Sequence, residues 1–228
     1  MKKIELWYGA LLHDVGKILF RSKNEQPRGT HSVLGEEYIK GFSSLKDKEG
    51  IIQSIRYHHY RELKNANIPV NSTAYITYIA DNIASGIDRR DKDDTDETRM
   101  QFDKSVALQS VFNILNDNKQ NYSYDFKSNE FLNYPTKNVK KVMPSEYSRI
   151  VDEMNSFNSH IEFNKSHFNS LLQWTESYWS YIPSSTATNQ LVDISLFDHS
   201  KITCGVASCI YDYCEYNGVE NYREILFD

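Results

Sequence analysis

Histidine and aspartate side chains recur along this sequence at positions suited to holding a metal ion. They lie at predicted helix starts or on the inward side of apolar helices: His13, Asp14, His31, His58, His59, Asp81 and His199. An unpaired polar group that is buried costs about 1–3 kcal/mol or more, so several are tolerated together mainly when a cation coordinates them. Mixed imidazole and carboxylate ligands suit Mn, Fe, Co, Ni or Zn better than Mg. The set is large enough for one or two ions.

Such ions would activate a water molecule for attack on phosphorus and would neutralise charge on the phosphate oxygens, which predicts phosphoester hydrolysis. The alternative is that each histidine is an ordinary core residue with a hydrogen-bonded neighbour, and that Asp81 pairs with Arg89 or Tyr78. For a single residue that alternative stays open. For the whole set, a metal site accounts better for so many buried polar groups.

Three further residues could contact a phosphate. Lys17 follows His13 by one helical turn, so it could bind a phosphate oxygen or stabilise Asp14, and the alternative is a solvated lysine. We therefore group His13, Asp14 and Lys17 as candidate catalytic residues. Arg28 and Thr30 precede a predicted helix start, where free backbone N–H groups can cradle a phosphate.

Apolar spacing predicts helices that would position these residues. The first covers 4–20 and contains His13 and Asp14. The next cover about 30–41, 51–59 with both imidazoles on the apolar face, and 72–85 with Gly86 as its C-cap. These elements form a helical core over 1–88 that contains the His-Asp pair.

A charged run from Asp88 to Asp103 changes the composition abruptly and is typical of a solvated loop, because it lacks the ligand register of an EF-hand. Within 89–145 the alternating segment 122–126 predicts a short strand in a small hairpin or irregular insertion. Helices over about 150–161, 168–179 and 195–216 follow, the last one closed by Gly218. They make up the C-terminal part, 146–228.

Composition limits the function. The net charge of −5 argues against a protein that grips duplex DNA on a broad basic face. The 16 Tyr and 11 Phe residues would permit stacking on unpaired bases. Cys204, Cys209 and Cys214 fit no disulfide or zinc pattern, which favours buried thiols in a reducing cytoplasm. No signal peptide or spanning helix is evident, and the last residues carry no end signal, so the chain can be part of a longer protein.

The motif Leu12-His13-Asp14-Val15-Gly16-Lys17 resembles the His-Asp-x-Gly-Lys motif of HD-domain hydrolases. The order that follows, Gly29-Thr30-His31-Ser32, Tyr57-His58-His59 and then Tyr78-Ile79-Ala80-Asp81-Asn82, is similar to the N-terminal HD domain of the large subunit of type III-A CRISPR-Cas effector complexes. In that family the HD fold is circularly permuted. Asp198-His199-Ser200-Lys201 is placed to be the displaced helix, with His199 as its ligand.

The resemblance implies a mainly α, circularly permuted helical bundle that cleaves single-stranded DNA with one or two Mn²⁺, Ni²⁺ or Co²⁺ ions. It also implies a complex with guide RNA and other effector subunits in the cytoplasm, without a membrane. The family's large subunit carries palm domains with a Gly-Gly-Asp-Asp motif, which this sequence lacks, so cyclase activity is not carried over.

Two other functions fit the same ligands. HD sites share their metal ligands and differ in pocket shape, so the chain could hydrolyse nucleotides or cyclic nucleotides. A catalytically weak HD fold could instead serve as a docking module in an RNA-guided assembly.

Overall fold

A computed structural model describes residues 2–25, 28–88, 101–115, 120–126, 133–137, 140–160, 162–188 and 190–227. Within these residues the fold is mainly helical, as predicted, and extended segments pair only through isolated bridges. The charged run falls largely on 89–100, outside the described residues. In chain order the described helices are α1 (Lys2–Leu12), α2 (Val15–Arg21), α3 (His31–Lys40), α4 (Glu49–Arg56), α5 (Tyr60–Leu63), α6 (Thr73–Asp88), α7 (Pro144–Asn158), α8 (Lys165–Trp179), α9 (Leu196–Asn217) and α10 (Glu224–Phe227).

The central helix of the bundle is α1. Its buried residues cover more than one face: Leu6, Tyr8, Gly9, Ala10, Leu11 and Leu12. A helix that is apolar nearly all round must be enclosed, and α1 packs against α4, α6, α8 and α9. The second helix packs on α3 and α7. The helices from the two ends of the chain thus share one core.

The first predicted helix is interrupted at the His-Asp pair. α1 ends at Leu12 and α2 begins at Val15, so His13 and Asp14 lie in the turn between two helices and not inside one. Apolar spacing continues through the turn because both helices bury one face in the same core, and periodicity alone therefore missed the break.

The third predicted helix is also too long. α4 ends at Arg56, and His58 and His59 lie in the link before α5, so the expectation that both imidazoles share the apolar face of one helix is wrong. Tyr57, at φ −117° and ψ 24°, is no longer helical, so His58 and His59 do not continue the side-chain directions of α4. The prediction that Gly86 is the C-cap of the fourth helix is also wrong, because α6 continues to Asp88.

The last long helix begins and ends where the sequence indicates. The Ser195 hydroxyl accepts the Asp198 N–H, and Gly218 ends α9 at φ 66°, a left-handed conformation that favours glycine. Cys204 and Cys214 are buried thiols, but Cys209 is exposed. Residues five apart on a helix differ by about 140° around the axis, so the three thiols cannot all face the core.

An irregular layer flanks the bundle, built from residues 101–110, 184–188 and 190–192. The Asp103 N–H donates to the Thr186 carbonyl at 3.0 Å, and the Gln109 N–H donates to the Val192 carbonyl at 2.7 Å. Ser123 bridges Gln109 and Thr136. The insertion is therefore irregular among the described residues, and the strand predicted over 122–126 is reduced to the bridges of a single residue, Ser123.

The start of α3 lies directly against α2 because Gly16 has no side chain. A Cβ on Gly16 would lie 1.8 Å from the His31 carbonyl oxygen and 2.9 Å from the Gly35 nitrogen. Gly35 is equally confined, with a Cβ only 2.8 Å from Ile55. This close approach brings His31 next to the His-Asp turn.

We expect Gly16→Ala to push α3 away from α2. Overpacking of this kind lowers the free energy of unfolding by about 1–3 kcal/mol or more, and it should also weaken metal binding by displacing His31. Chemical denaturation and metal titration measure the two effects.

The matched control is Gly205→Ala in α9, where an added Cβ meets nothing within 4 Å. It should raise the free energy of unfolding by up to about 1 kcal/mol, since alanine is the better helix former. Equal stability of the two variants would contradict the tight approach at Gly16.

Candidate metal centre

The structure brings all seven predicted ligands together: six form two adjoining groups, and Asp14 lies between them. The three-histidine group is His31, His58 and His59, and the mixed group is His13, Asp81 and His199. In each group the potential ligand atoms lie within 4.8 Å of one another. Each group could therefore hold a metal ion.

Asp14 stands between the two groups and faces both. Its Oδ1 lies 3.3 Å from His31 Nε2 and 3.6 Å from His58 Nε2. Its Oδ2 lies 3.3 Å from His13 Nε2 and 3.5 Å from His199 Nε2. One carboxylate can therefore serve an ion in each group.

Five segments of the chain deliver these side chains. The α1–α2 turn supplies His13 and Asp14, and α3 supplies His31 as its first residue. The link before α5 supplies His58 and His59. Asp81 comes from α6 and His199 from α9, two helices that pack against each other.

Backbone hydrogen bonds fix the orientation of two rings. His13 Nδ1 lies 2.8 Å from the Ala10 carbonyl oxygen, and His58 Nδ1 lies 2.7 Å from that of Ile55. A carbonyl can only accept, so each Nδ1 carries a hydrogen, and in the neutral form of each ring the lone pair of Nε2 faces the centre. Both Nε2 atoms thus point at the place where an ion would lie.

Charge in the centre is distributed unevenly. Burial opposes a charge on His13, but Asp14 and Asp81 outweigh it and raise the pKa of His13 to about 10. Burial would also raise the pKa of Asp14, yet Lys17 and His13 hold that pKa well below its usual range. Burial and the neighbouring His59 and His13 hold the pKa of His58 well below normal. The two carboxylates therefore favour a positive charge on His13.

The residues fit a bound cation. His13 Nε2 and Asp14 Oδ1 are buried and accept or donate no hydrogen bond within the described structure. His31 Nε2 lies 2.9 Å from His59 Nε2 and 3.1 Å from His58 Nε2. Converging ring nitrogens and unpaired buried atoms are costly without a proton or a metal ion between them.

The predicted phosphate contacts lie in different surroundings. Lys17 Nζ is 2.5 Å from Asp14 Oδ2, with a side chain 24% exposed, so it can reach both the carboxylate and a substrate. The Thr30 hydroxyl lies 2.6 Å from that of Ser32 and donates to Glu62 at 3.1 Å. Arg28 is exposed in the loop before α3. Phosphate binding by these residues stays a prediction.

Sequence reasoning missed a network that holds α3 against α5. Glu62 accepts from the Ser32 hydroxyl at 3.1 Å and pairs with Arg56 at 3.1 Å. Arg56 also pairs with Glu36 of α3 at 3.1 Å. These bonds fix His31 relative to His58 and His59. Nothing in the sequence spacing distinguishes Glu62 from a solvated glutamate.

Cavities open beside the centre, and two of them reach the irregular layer. The larger, about 600 Å³, is lined by Lys17, His31, Phe102 and the segment 184–186 among others. The smaller, about 270 Å³, also borders His59 and His199. Sequence reasoning missed the contribution of the irregular layer to both, because residues 102 and 184 are brought together only by tertiary pairing.

Comparison with known proteins agrees with this geometry. Residues 1–86 match the family model of the HD domain. This stretch of the chain contains the His-Asp turn and all the predicted ligands except His199. The chain therefore contains an HD domain. None of the described helices is long and apolar enough to cross a membrane.

The particular relatives are Cas10/Csm1 proteins of subtype III-A CRISPR systems. The chain is 47% identical over 234 residues to the CRISPR system single-strand-specific deoxyribonuclease Cas10/Csm1 of Enterococcus italicus, covering 99% of the chain and 31% of that relative. The crystal structure of Csm1 in T. onnurineus superposes over 94% of the chain and 29% of that protein, with a TM-score of 0.69 and 23% identity. Csm1 in a Csm1–Csm4 subcomplex gives a TM-score of 0.65 at 22% identity, over 92% of the chain and 28% of Csm1.

The chain is thus related to Cas10/Csm1, and it spans about a third of the length of the relative from Enterococcus italicus. The solved structures share the helical fold of the chain.

Metal stoichiometry should separate the two groups. We expect the parent chain to bind about two Mn²⁺ or Ni²⁺ ions, and His199→Ala to retain about one, because the three-histidine group keeps its ligands. Asp14→Asn should lower the affinity for both ions by about 100-fold or more, because the carboxylate faces both groups. Elemental analysis after dialysis measures this, with the exposed His160→Ala as the control. Equal metal content in His199→Ala and Asp14→Asn would contradict a bridging role.

Metal binding should release a proton near neutral pH. Because the pKa of His13 is raised to about 10, its ring is protonated in the metal-free protein and must lose that proton to become a ligand. Affinity should therefore fall as the pH is lowered. Calorimetry in two buffers of different ionisation enthalpy measures the protons released, and a result of zero would exclude His13 as a ligand.

Proposed function

We propose that this chain is a metal-dependent, single-strand-specific deoxyribonuclease domain that acts in RNA-guided type III CRISPR defence. The observation that carries the proposal is the Asp14 carboxylate placed between two groups of imidazole ligands. The name of the 47% identical relative supplies the substrate class.

His13, Asp14, Asp81 and His199 would hold one ion, and Asp14, His31, His58 and His59 the other. Bound ions supply Lewis acidity, which activates water and neutralises charge on a phosphodiester. The chain's own part is to hold the ligands rigidly through the Ala10 and Ile55 carbonyls. Lys17 keeps Asp14 ionised and, from its half-buried position, can donate to a phosphate oxygen.

The ligand set favours a transition metal. Five imidazoles and two carboxylates face the centre, a mixture that suits Mn²⁺, Ni²⁺ or Co²⁺ better than the all-oxygen ligation of Mg²⁺ or Ca²⁺. We therefore expect activity with Mn²⁺, Ni²⁺ or Co²⁺ and little with Mg²⁺.

A single strand is the better substrate on physical grounds. The net charge of −5 provides no broad basic face for a duplex. Positive charge is local, at Lys17 and Lys104 beside the larger cavity. A flexible strand can bend a phosphate into a recessed centre between cavities, whereas a duplex cannot do so without distortion.

Partners follow from the relatives. The Csm1 of a solved structure assembles with Csm4, so we propose that this chain acts beside effector subunits and a guide RNA. The free thiols of Cys204, Cys209 and Cys214 suit a reducing cytoplasm. The division at 88 and 145 and the circular permutation that brings His199 from the C-terminal part remain predictions.

Incubation of the chain with Mn²⁺ and end-labelled DNA tests the proposal. Single strands should be cut while a duplex of the same sequence resists, and His13→Ala should lower the rate by about 100-fold or more because it removes a ligand. The exposed His160→Ala should cut as the parent does.

Three results would contradict the nuclease. One is intact single strands with the metal centre loaded, which would favour a docking module. Another is phosphate or nucleoside release from mononucleotides without DNA cleavage, which would favour a nucleotide phosphohydrolase. The third is a His13→Ala variant as active as the parent.

A further inference from the structure

An exposed aromatic ring stands at the mouth of the metal centre. Phe102 is 65% exposed, and it lines both the larger cavity and the smaller one that borders His31, His59 and His199. Burial of a phenylalanine ring is normally favourable by about 1.5–3 kcal/mol, so a ligand in this cavity that covered the ring would gain by the contact.

The backbone that carries this ring is held on both sides. The Thr188 N–H donates to the Gln101 carbonyl at 2.9 Å, and the Asp103 N–H donates to the Thr186 carbonyl at 3.0 Å. Phe102 itself forms an antiparallel bridge with Ala187. The ring is therefore presented by a fixed backbone.

The chain segment that pairs with Phe102 is fixed as well. Buried Arg21 of α2 donates to the Pro183 carbonyl at 2.5 Å and to the Ser184 carbonyl at 3.3 Å. This ties the segment that pairs with Phe102 to the helix that follows Asp14. The distance between ring and metal centre is thus set by hydrogen bonds within the fold.

A positive charge completes the cavity. Lys104 Nζ lies 3.4 Å from the Phe20 carbonyl oxygen and 4.2 Å from the centre of the Phe20 ring. It makes no ion pair with any residue that the structure describes, so at least part of its charge is available to an anion. Lys17 lines the same cavity.

The groups around this cavity match the parts of a single strand. An aromatic face can stack on a base, a cation can bind a phosphate, and the metal centre can hold the scissile phosphate. We propose that the Phe102 ring stacks on a nucleobase next to the phosphate held at the metal centre, with Lys104 binding a neighbouring phosphate. This inference rests on the proposed function and names how that site holds its substrate. Stacking accepts any base, so it provides single-strand selectivity without sequence preference.

Binding in EDTA tests the inference without cleavage. Labelled oligothymidine and an abasic strand of the same length are titrated with the chain and followed by fluorescence anisotropy. Phe102→Ala should weaken binding of oligothymidine by about tenfold and leave the abasic strand unchanged, because only the former has bases to stack. Phe102→Trp should bind at least as well as the parent.

Two control variants separate stacking from other effects. Phe112→Ala removes a ring of similar exposure, 63%, that does not line the cavities, and it should bind as the parent does. Lys104→Ala should weaken the binding of oligothymidine and of the abasic strand equally. It should also reduce the salt dependence of binding, as loss of a phosphate contact does.

The outcomes distinguish this inference from the proposed nuclease. If the parent binds oligothymidine through Phe102 but does not cut it with Mn²⁺, the nuclease fails and the stacking site stands. If the parent cuts single strands and Phe102→Ala binds both strands as the parent does, the stacking site is overturned and the nuclease stands. Equal weakening of both strands by Phe102→Ala also overturns stacking.

Discussion

The arrangement of the centre depends on one carboxylate shared by two groups of imidazoles. Asp14 is buried, and its two oxygens face different groups, so an ion in either group would lie near one of its oxygens. A buried carboxylate of this kind is stable only with cationic partners. In the metal-free protein Lys17 and the proton on His13 fulfil that role. Divalent ions would replace the proton and bind the atoms that now lack hydrogen bonds.

The helices can be understood as supports for that carboxylate. The break between α1 and α2 turns Asp14 into the centre while both helices stay packed in the core. Gly16 has no side chain, so α3 can pack directly against α2. The network of Glu62 with Arg56 holds α3 against the link that carries His58 and His59. A buried polar centre with several ligands requires each of these supports, because a ligand displaced by an ångström leaves its partners unpaired.

The irregular layer completes the site on its open side. Its described segments come from residues 101–110, 184–188 and 190–192, and they pair through backbone hydrogen bonds. Arg21 connects this layer to α2, which follows the turn that carries Asp14. The irregular layer and the candidate metal ligands thus come from different parts of the chain, and the buried Arg21 side chain is one of the contacts that join them.

The sequence by itself determined the helical class, the ends of α9 and which polar residues are candidate ligands, because apolar spacing, caps and buried polar side chains are local signals. Only the tertiary structure decided where the first and third helices break, since apolar spacing does not register a turn whose two sides pack on one core. It also decided that Asp14 lies between the groups and that Phe102 borders them. Those relations join residues far apart in the chain, and no local pattern records a distance set by packing.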